Sequence, residues 1–355
     1  MSGHRAYIPA LDGLRGLAVL AVVVSHCWPQ ALPGGWAGVD IFFVLSGFLI
    51  TSILLAEHER TGRISFRNFY TRRALRLLPA MGATLLMGVL IAGLLYSGSL
   101  NDTLREAIAA FLSVANWLVA LGQVRSGLLV HTWTLSIEEQ FYWTWPIVLS
   151  VALAVGGRRA ALWTTIVLIG VVLLHRLTGL QGAYFRTDAR ADSLLVGCAV
   201  AIAASLGILD RVSTRIIKIG GITGTLSLGI VLAAGDHASS LMEGVGFTLV
   251  GLAAATVVVA IAVRPMRLPV EMACCPPLVW VGQRSYGVYL YHPLCIAILA
   301  PRLGTEGLFT LVGTALLVLV TAAASYRYLE TPFLRLKDGV GAPGHRQLPT
   351  PVPLT

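Results

Sequence analysis

The sequence predicts an all-α polytopic membrane protein: a bundle of about ten transmembrane helices plus one interfacial or re-entrant helix, with both termini cytoplasmic. Three observations carry this expectation. Of the 355 residues, 56% are hydrophobic and only 12% charged, against about 25% charged in soluble domains, and the mean hydropathy is +0.78. Apolar runs long enough to cross ~30 Å of hydrocarbon recur along the whole chain. Basic residues sit in short clusters between those runs. Despite a net charge of +9, that pattern belongs to cytoplasmic loops facing anionic lipid and not to a nucleic-acid-binding surface.

The apolar runs lie near 10–28, 37–56, 76–97, 136–155, 160–177, 191–208, 217–235, 243–263, 283–300 and 307–328. The first has no small-residue cleavage site and leads straight into the second, so no cleavable signal peptide is expected. A further segment, 104–121, is shorter and carries Arg105, Glu106, Asn116 and Trp117. The basic clusters decide its status. They are His4 and Arg5, the 57–76 segment with its six arginines, Arg158–Arg159, Arg211/Arg215/Lys218, Arg264/Arg267 and the tail from Arg327. All of them fall on the cytoplasmic side only if 104–121 does not cross. The transmembrane domain then covers 7–336, and the Pro- and Gly-rich 337–355 reads as a disordered cytoplasmic tail. No internal repeat of the kind that builds many transporters is visible.

This orientation sorts the polar residues into two clusters. Residues expected at the outer face are His26, Asp40, His131, Glu138, Glu139, Arg190 and Asp192. On the cytoplasmic side are Arg60, Arg63, Arg67, Arg72, Arg73 and Arg76, the last three at helical spacing. The first span links the two. Asp12 and Arg15 are three apart and can pair; Arg15 and His26 are eleven apart, within ~20° of one stripe and ~16 Å apart along the axis. Ionisable groups in lipid usually face the bundle interior and mark function. Asp40 lies just past a short turn from His26, at similar depth, where a carboxylate would raise the basicity of the imidazole. Forked guanidinium groups suit phosphate. An outer base with an inner phosphate patch suggests a phosphate-bearing donor bound from the cytoplasm and a hydroxyl acceptor activated near the outer face.

Other chemistries lack their residues. There is no Gly-rich phosphate loop, no Gly-x-Ser-x-Gly and no His-Glu-x-x-His. The five cysteines, Cys27, Cys198, Cys274, Cys275 and Cys295, lack metal-ligand spacing, so no metal is expected. Lysine occurs only as Lys218 and Lys337 amid abundant Arg, Ala, Gly and Val. That bias suggests a GC-rich bacterial genome, hence the inner (cytoplasmic) membrane of a bacterium.

Several stretches together resemble the membrane-bound acyltransferase-3 family, over about 7–336. Tyr7-Ile-Pro-Ala-Leu-Asp12-Gly-Leu-Arg15 with Ser25-His26 is similar to the family opening. Gly38-Val-Asp40-Ile-Phe-Phe-Val-Leu-Ser46-Gly47 resembles its second span, and Arg72-Arg73-Ala-Leu-Arg76-Leu-Leu-Pro79 its paired-arginine motif. His131-Thr-Trp133-Thr-Leu-Ser136-Ile-Glu138-Glu-Gln140-Phe-Tyr142 is similar to its most recognisable signature, with Thr134 where Ser is more usual. Thr187-Asp188-Ala-Arg190-Ala-Asp192, Ser285-Tyr286-Gly-Val-Tyr289-Leu-Tyr-His292-Pro293 and Glu330-Thr-Pro332 complete the order.

The resemblance implies transfer of an acyl group, usually acetyl from acetyl-CoA, to a hydroxyl of a carbohydrate or glycosylated small molecule such as a macrolide. It casts His26 as the base, oriented by Asp40 or Glu138. Arg15, Arg72, Arg73 and Arg76 fall on the acyl-CoA side. Asp12, His131, Trp133, Ser136, Tyr142, Arg190, Asp192, Tyr289 and His292 are the expected acceptor-side residues. No stretch corresponds to the extracytoplasmic hydrolase-like domain that some members carry. The alternative from another class is a proton-coupled transporter with His26, Asp40 and Glu138 as a relay.

Overall fold

A computed structural model describes residues 7–124 and 127–340. Among them the chain forms fourteen α-helices and no strand. Seven helical stretches are long and apolar enough to cross a membrane: Pro9–Cys27, Ala37–Thr61, Phe66–Leu95, Val130–Arg176, Thr214–Ala234, Met242–Val263 and Leu308–Lys337.

In chain order the helices are α1 (Pro9–Cys27), α2 (Ala37–Thr61), α3 (Phe66–Leu95), α4 (Leu100–Phe111), α5 (Ala115–Ala120), α6 (Trp133–Arg176) and α7 (Thr187–Ser205). They continue with α8 (Thr214–Ala234), α9 (Phe247–Val258), α10 (Arg267–Ala273), α11 (Pro276–Gln283), α12 (Ser285–Leu303), α13 (Leu308–Ala324) and α14 (Thr331–Gly339). Their ends follow from local chemistry. Pro9 opens α1, where its missing N–H costs nothing. Gly62, at φ 71°, closes α2 in the left-handed conformation. The Ser65 hydroxyl accepts from the Asn68 amide to cap α3. Within α6, Gly156 and Gly157 leave helical geometry, Gly157 at φ 66°, so this helix breaks where the sequence separates the 136–155 and 160–177 runs. π-Helical turns extend α9 at both ends and join α13 to α14.

The segment expected to lie at the interface is two short helices, α4 and α5, parted by Ser113 at φ 58°. With 12 and 6 residues, neither reaches the ~20 that a span requires. Gln140 on α6 holds them: its amide donates to Ser113 O (2.7 Å) and to Asn116 Oδ1 (3.0 Å), and accepts from Thr187 Oγ1. Glu106 on α4 accepts from the Leu129 amide at 2.9 Å, fastening the chain just ahead of His131. Burial raises the Glu106 carboxyl to about 6.

α7 lies between α2 and α6. Gly47 and Gly197 make the first contact possible, because a Cβ at either would collide with a carbonyl across the interface, that of Leu194 or Val44. α1 lies on α11 in the same way, through Gly16 and Gly282.

Two ion pairs, fully withdrawn from solvent, cross-link these layers. Arg190 Nη2 donates to both oxygens of Asp40 at 3.0 and 2.9 Å, and Ser193 donates to Oδ1 at 2.9 Å. Arg176 Nη1 donates to Asp192 Oδ2 at 2.9 Å, an oxygen that also accepts from Thr248. The first pair joins α2 to α7; the second joins α6, α7 and α9.

Three sequence expectations are corrected here. Asp12 makes no ion pair with Arg15 and accepts from the Tyr7 hydroxyl at 2.7 Å; a helical i,i+3 relation permits contact but a nearer phenol wins. Asp40 does not reach His26, because Arg190 holds it. Of the expected tail, 337–339 close α14, and 341–355 lie outside the described residues.

Candidate active site

Five helices enclose one cavity of about 90 Å3. α1 supplies Arg15, α3 supplies Arg73 and Arg76, and α6 supplies Thr134 and Glu138. On α12, Ser285, Tyr286 and Tyr289 face in, and on α2 the stripe Phe42, Ser46, Leu49 and Ile53 does so at helical period.

One end of the cavity is cationic. Arg15, Arg73 and Arg76 form no ion pair among the described residues. The Nε atoms of Arg15 and Arg73 are buried without an acceptor. Buried guanidinium donors left unpaired are costly and would be satisfied by a bound anion. Arg73 also lies 3.6 Å from the centroid of the Tyr142 ring, a cation–π contact that orients it. Beneath it, Glu138 accepts from Ser46 at 2.9 Å and from Tyr142 at 3.1 Å, so both its oxygens are engaged. Arg72 turns away and pairs with Glu57 on α2 at 3.8 Å; it is not part of the lining, contrary to the sequence expectation.

Beyond the cavity lies a histidine cluster. Pro293 has no N–H, which leaves the Tyr289 carbonyl without its helical donor. His292 Nδ1–H donates to that carbonyl instead, at 2.7 Å. The proton is thereby placed on Nδ1, and Nε2 is buried with no partner. His131 donates through Nε2 to Leu290 O at 3.0 Å, leaving Nδ1 bare. His26 donates through Nδ1 to Val22 O at 2.8 Å, and its ring is accessible. The His26 ring lies 4.9 Å from His292, and His292 lies 5.7 Å from His131. Each of the three imidazoles therefore has one nitrogen tied to a backbone carbonyl and a lone pair on the other.

Tyr289 stands between the cavity and this cluster. Its hydroxyl donates to His131 O at 2.8 Å and is 2.7 Å from Thr134 Oγ1, while its ring lines the cavity.

The structure thus brings Arg15, Arg73, Arg76, Glu138 and Tyr289 to one cavity, with Tyr142 against Arg73 and Glu138 and with His26, His131 and His292 beyond the cavity. Asp40, Arg190 and Asp192 are spent in buried ion pairs. Trp133 packs against Tyr184 and Phe185 at 5.0 and 5.1 Å, and the Ser136 hydroxyl bonds back to Thr132 O; neither faces the cavity. Nor do His26, Asp40 and Glu138 form a hydrogen-bonded relay, since each has other partners. Sequence reasoning quoted Ser46 and Tyr286 within longer stretches but gave neither a place in the site. Their spacing from Leu49 (i,i+3) and Tyr289 (i,i+3) was the available signal. Arg176 has none, because its acidic partner lies beyond a turn on another helix. Among the described residues no group of His, Cys, Asp or Glu has the arrangement of a metal site.

Comparison with known proteins decides the family. Residues 8–328 match the family described as an acyltransferase domain, the acyltransferase-3 family. The chain belongs to it. O-acetyltransferase OatA of Staphylococcus aureus (strain NCTC 8325 / PS 47) is 35% identical over 346 residues, covering 92% of this chain and 57% of the relative. Two S. aureus proteins named putative O-acetyltransferases, SACOL0978 of strain COL and SAS0844 of strain MSSA476, are 33% and 32% identical, each over 95% of this chain and 58% of the relative. This acyltransferase-3 chain therefore spans a little over half the length of the curated relatives it matches. No solved structure matches it.

Proposed function

We propose that this protein is an integral-membrane O-acyltransferase that moves an acyl group, acetyl by preference, from acyl-CoA to a hydroxyl of a carbohydrate or glycosylated small molecule. The observation that carries the reading is the polarity of the site: unpaired guanidinium groups at one end of a cavity and bare imidazole lone pairs past its other end, in one bundle. Relatives named O-acetyltransferases support the acetyl group. The basic-loop pattern supports ten spans with both termini in the cytoplasm of a bacterium, which puts the arginines inside and His26 outside.

On this reading Arg15, Arg73 and Arg76 hold the donor phosphates. His26 Nε2 takes the proton of the acceptor hydroxyl while that oxygen forms its bond to the thioester carbonyl carbon. The tetrahedral adduct collapses, the carbon–sulfur bond breaks, and the thiolate leaves with the proton returned by the imidazolium. Proximity and base catalysis supply the rate. His131 and His292, with lone pairs beside His26, act as acceptors for hydroxyl groups of the incoming molecule. Glu138, held by Ser46 and Tyr142, positions Arg73 through the Tyr142 ring.

The test is release of free coenzyme A from radiolabelled acetyl-CoA by the purified protein in detergent. His26→Ala should lower the rate by roughly 10²–10⁴-fold. Arg73→Ala/Arg76→Ala should raise the donor concentration needed by at least about tenfold. A folded wild-type protein that binds no acyl-CoA refutes the donor assignment.

A further inference from the structure

The turn between α11 and α12 carries polar groups that the reaction above does not use. Ser285 is completely buried, its hydroxyl has no partner, and it lines the same cavity as Arg15, Arg73 and Arg76. The Nε of Arg284 is also buried and unpartnered. Its guanidinium is held in place: Nη1 donates to Trp280 O at 2.9 Å, and the group lies 4.1 Å from the Trp280 ring and 4.8 Å from the Tyr326 ring. Arg284 is, in addition, the N-cap of the 19-residue α12. The first helical bond runs from Val288 N–H to Arg284 O, so the amides ahead of it have no partner within the helix and carry the positive end of its dipole. Of the carboxylates nearby, Glu138 lines the same cavity and accepts from Ser46 and Tyr142, while Glu330 is bonded to Ser325 at 3.0 Å and forms no ion pair with Arg284 or Arg76 among the described residues. A fixed guanidinium, a bare buried hydroxyl and a helix N-terminus thus stand on adjacent residues, and the carboxylates near them already hold other donors.

We propose that Arg284, Ser285 and the α12 N-terminus form a second phosphate subsite, beside the donor cavity. The inference rests on the donor reading given above. A coenzyme A thioester carries two anionic groups, a diphosphate in mid-molecule and a 3′-phosphate at the nucleoside end. The deeper arginines beside Tyr142 suit the first. Arg284, half-buried at the start of its helix, suits the second. The subsite therefore distinguishes coenzyme A from its 3′-dephospho form.

The experiment is calorimetric titration of the full chain in lipid nanodiscs with coenzyme A and with 3′-dephospho-coenzyme A. Wild type should prefer coenzyme A by roughly tenfold to a hundredfold, the usual worth of charged hydrogen bonds. Arg284→Gln and Ser285→Ala should each weaken coenzyme A and leave the dephospho form unchanged, shrinking the preference toward one. Ser285→Ala deletes a single atom, so it keeps the test valid if Arg284→Gln fails to fold. Inorganic phosphate should weaken coenzyme A more than the dephospho form, whereas phosphate that weakens both equally, or neither, overturns the assignment. Equal affinity of wild type for the two nucleotides, or equal weakening of both in the variants, overturns the subsite alone. If wild type binds neither nucleotide, the donor reading falls first and the subsite with it.

Discussion

Asp40 shows how the structure changes what a substitution should do. Its carboxylate is fully buried and receives three hydrogen bonds, two from Arg190 and one from Ser193. Arg190 in turn lies 3.8 Å from the centroid of Phe247. Replacing Arg190 with Met leaves a buried carboxylate with one hydroxyl for company, and breaking such a pair costs about 3–5 kcal/mol. That is a factor of about 10²–10⁴ in the folded-to-unfolded ratio, or on the order of 5–10 °C in melting temperature. Removing both charges in Asp40→Leu/Arg190→Met recovers most of the loss, since a buried pair is worth little against apolar side chains of similar volume. The assay is thermal melting of the three proteins in one detergent, followed by the pH profile of acetyl-CoA cleavage on the folded fraction. The expected result is a strongly destabilised single variant, a near-normal double variant, and an unshifted pH profile in both. An Asp40→Leu/Arg190→Met protein of normal stability with its acidic limb shifted would refute this reasoning and return Asp40 to the orientation of His26.

Two further outcomes follow from the fold. Burial raises the Glu106 carboxyl to about 6, so the folded protein binds that proton more tightly than the unfolded chain does. The associated stability is full below the unfolded value near 4.5 and is lost as pH rises through about 6. Glu106→Gln, which keeps an oxygen for the Leu129 amide, should gain on wild type over that interval in pH-dependent melting. Gly47→Leu drives a side chain into the Leu194 carbonyl and should cost about 1–3 kcal/mol, read as a lower melting temperature; Gly82→Ala, with open space around it, should not.

The helices themselves were legible, since each apolar run has a helix within a few residues, and the break at Gly156–Gly157 stands where the run is interrupted. The spacing of Arg73 and Arg76 on one helical patch was legible too, whereas Glu138, expected in the outer cluster with His26, lines the same cavity as the arginines instead. What the sequence could not show is who pairs with whom. Asp40 and His26 are near in sequence and at similar depth, but Arg190, 150 residues away, makes the better partner because a guanidinium can fill both carboxylate oxygens. Asp12 beside Arg15 failed likewise, since a pairing inferred from one helix ignores a phenol arriving from the preceding residues. The α12 N-terminus was quoted as a motif, yet the bare Ser285 hydroxyl becomes visible only once α11 is seen to end two residues before it.

Arg15 and His26 stand on a single unbroken helix, eleven residues apart, a separation of about 16 Å that no loop motion can alter. α1 is in this sense a ruler. On the proposed reading, a donor gripped by its phosphates at Arg15 delivers its thioester to His26 only if the arm between them matches that length, so a truncated thioester would be held at the arginines and yet remain unreacted. Selection for the donor would then reside in the spacing along a helix as well as in any pocket wall.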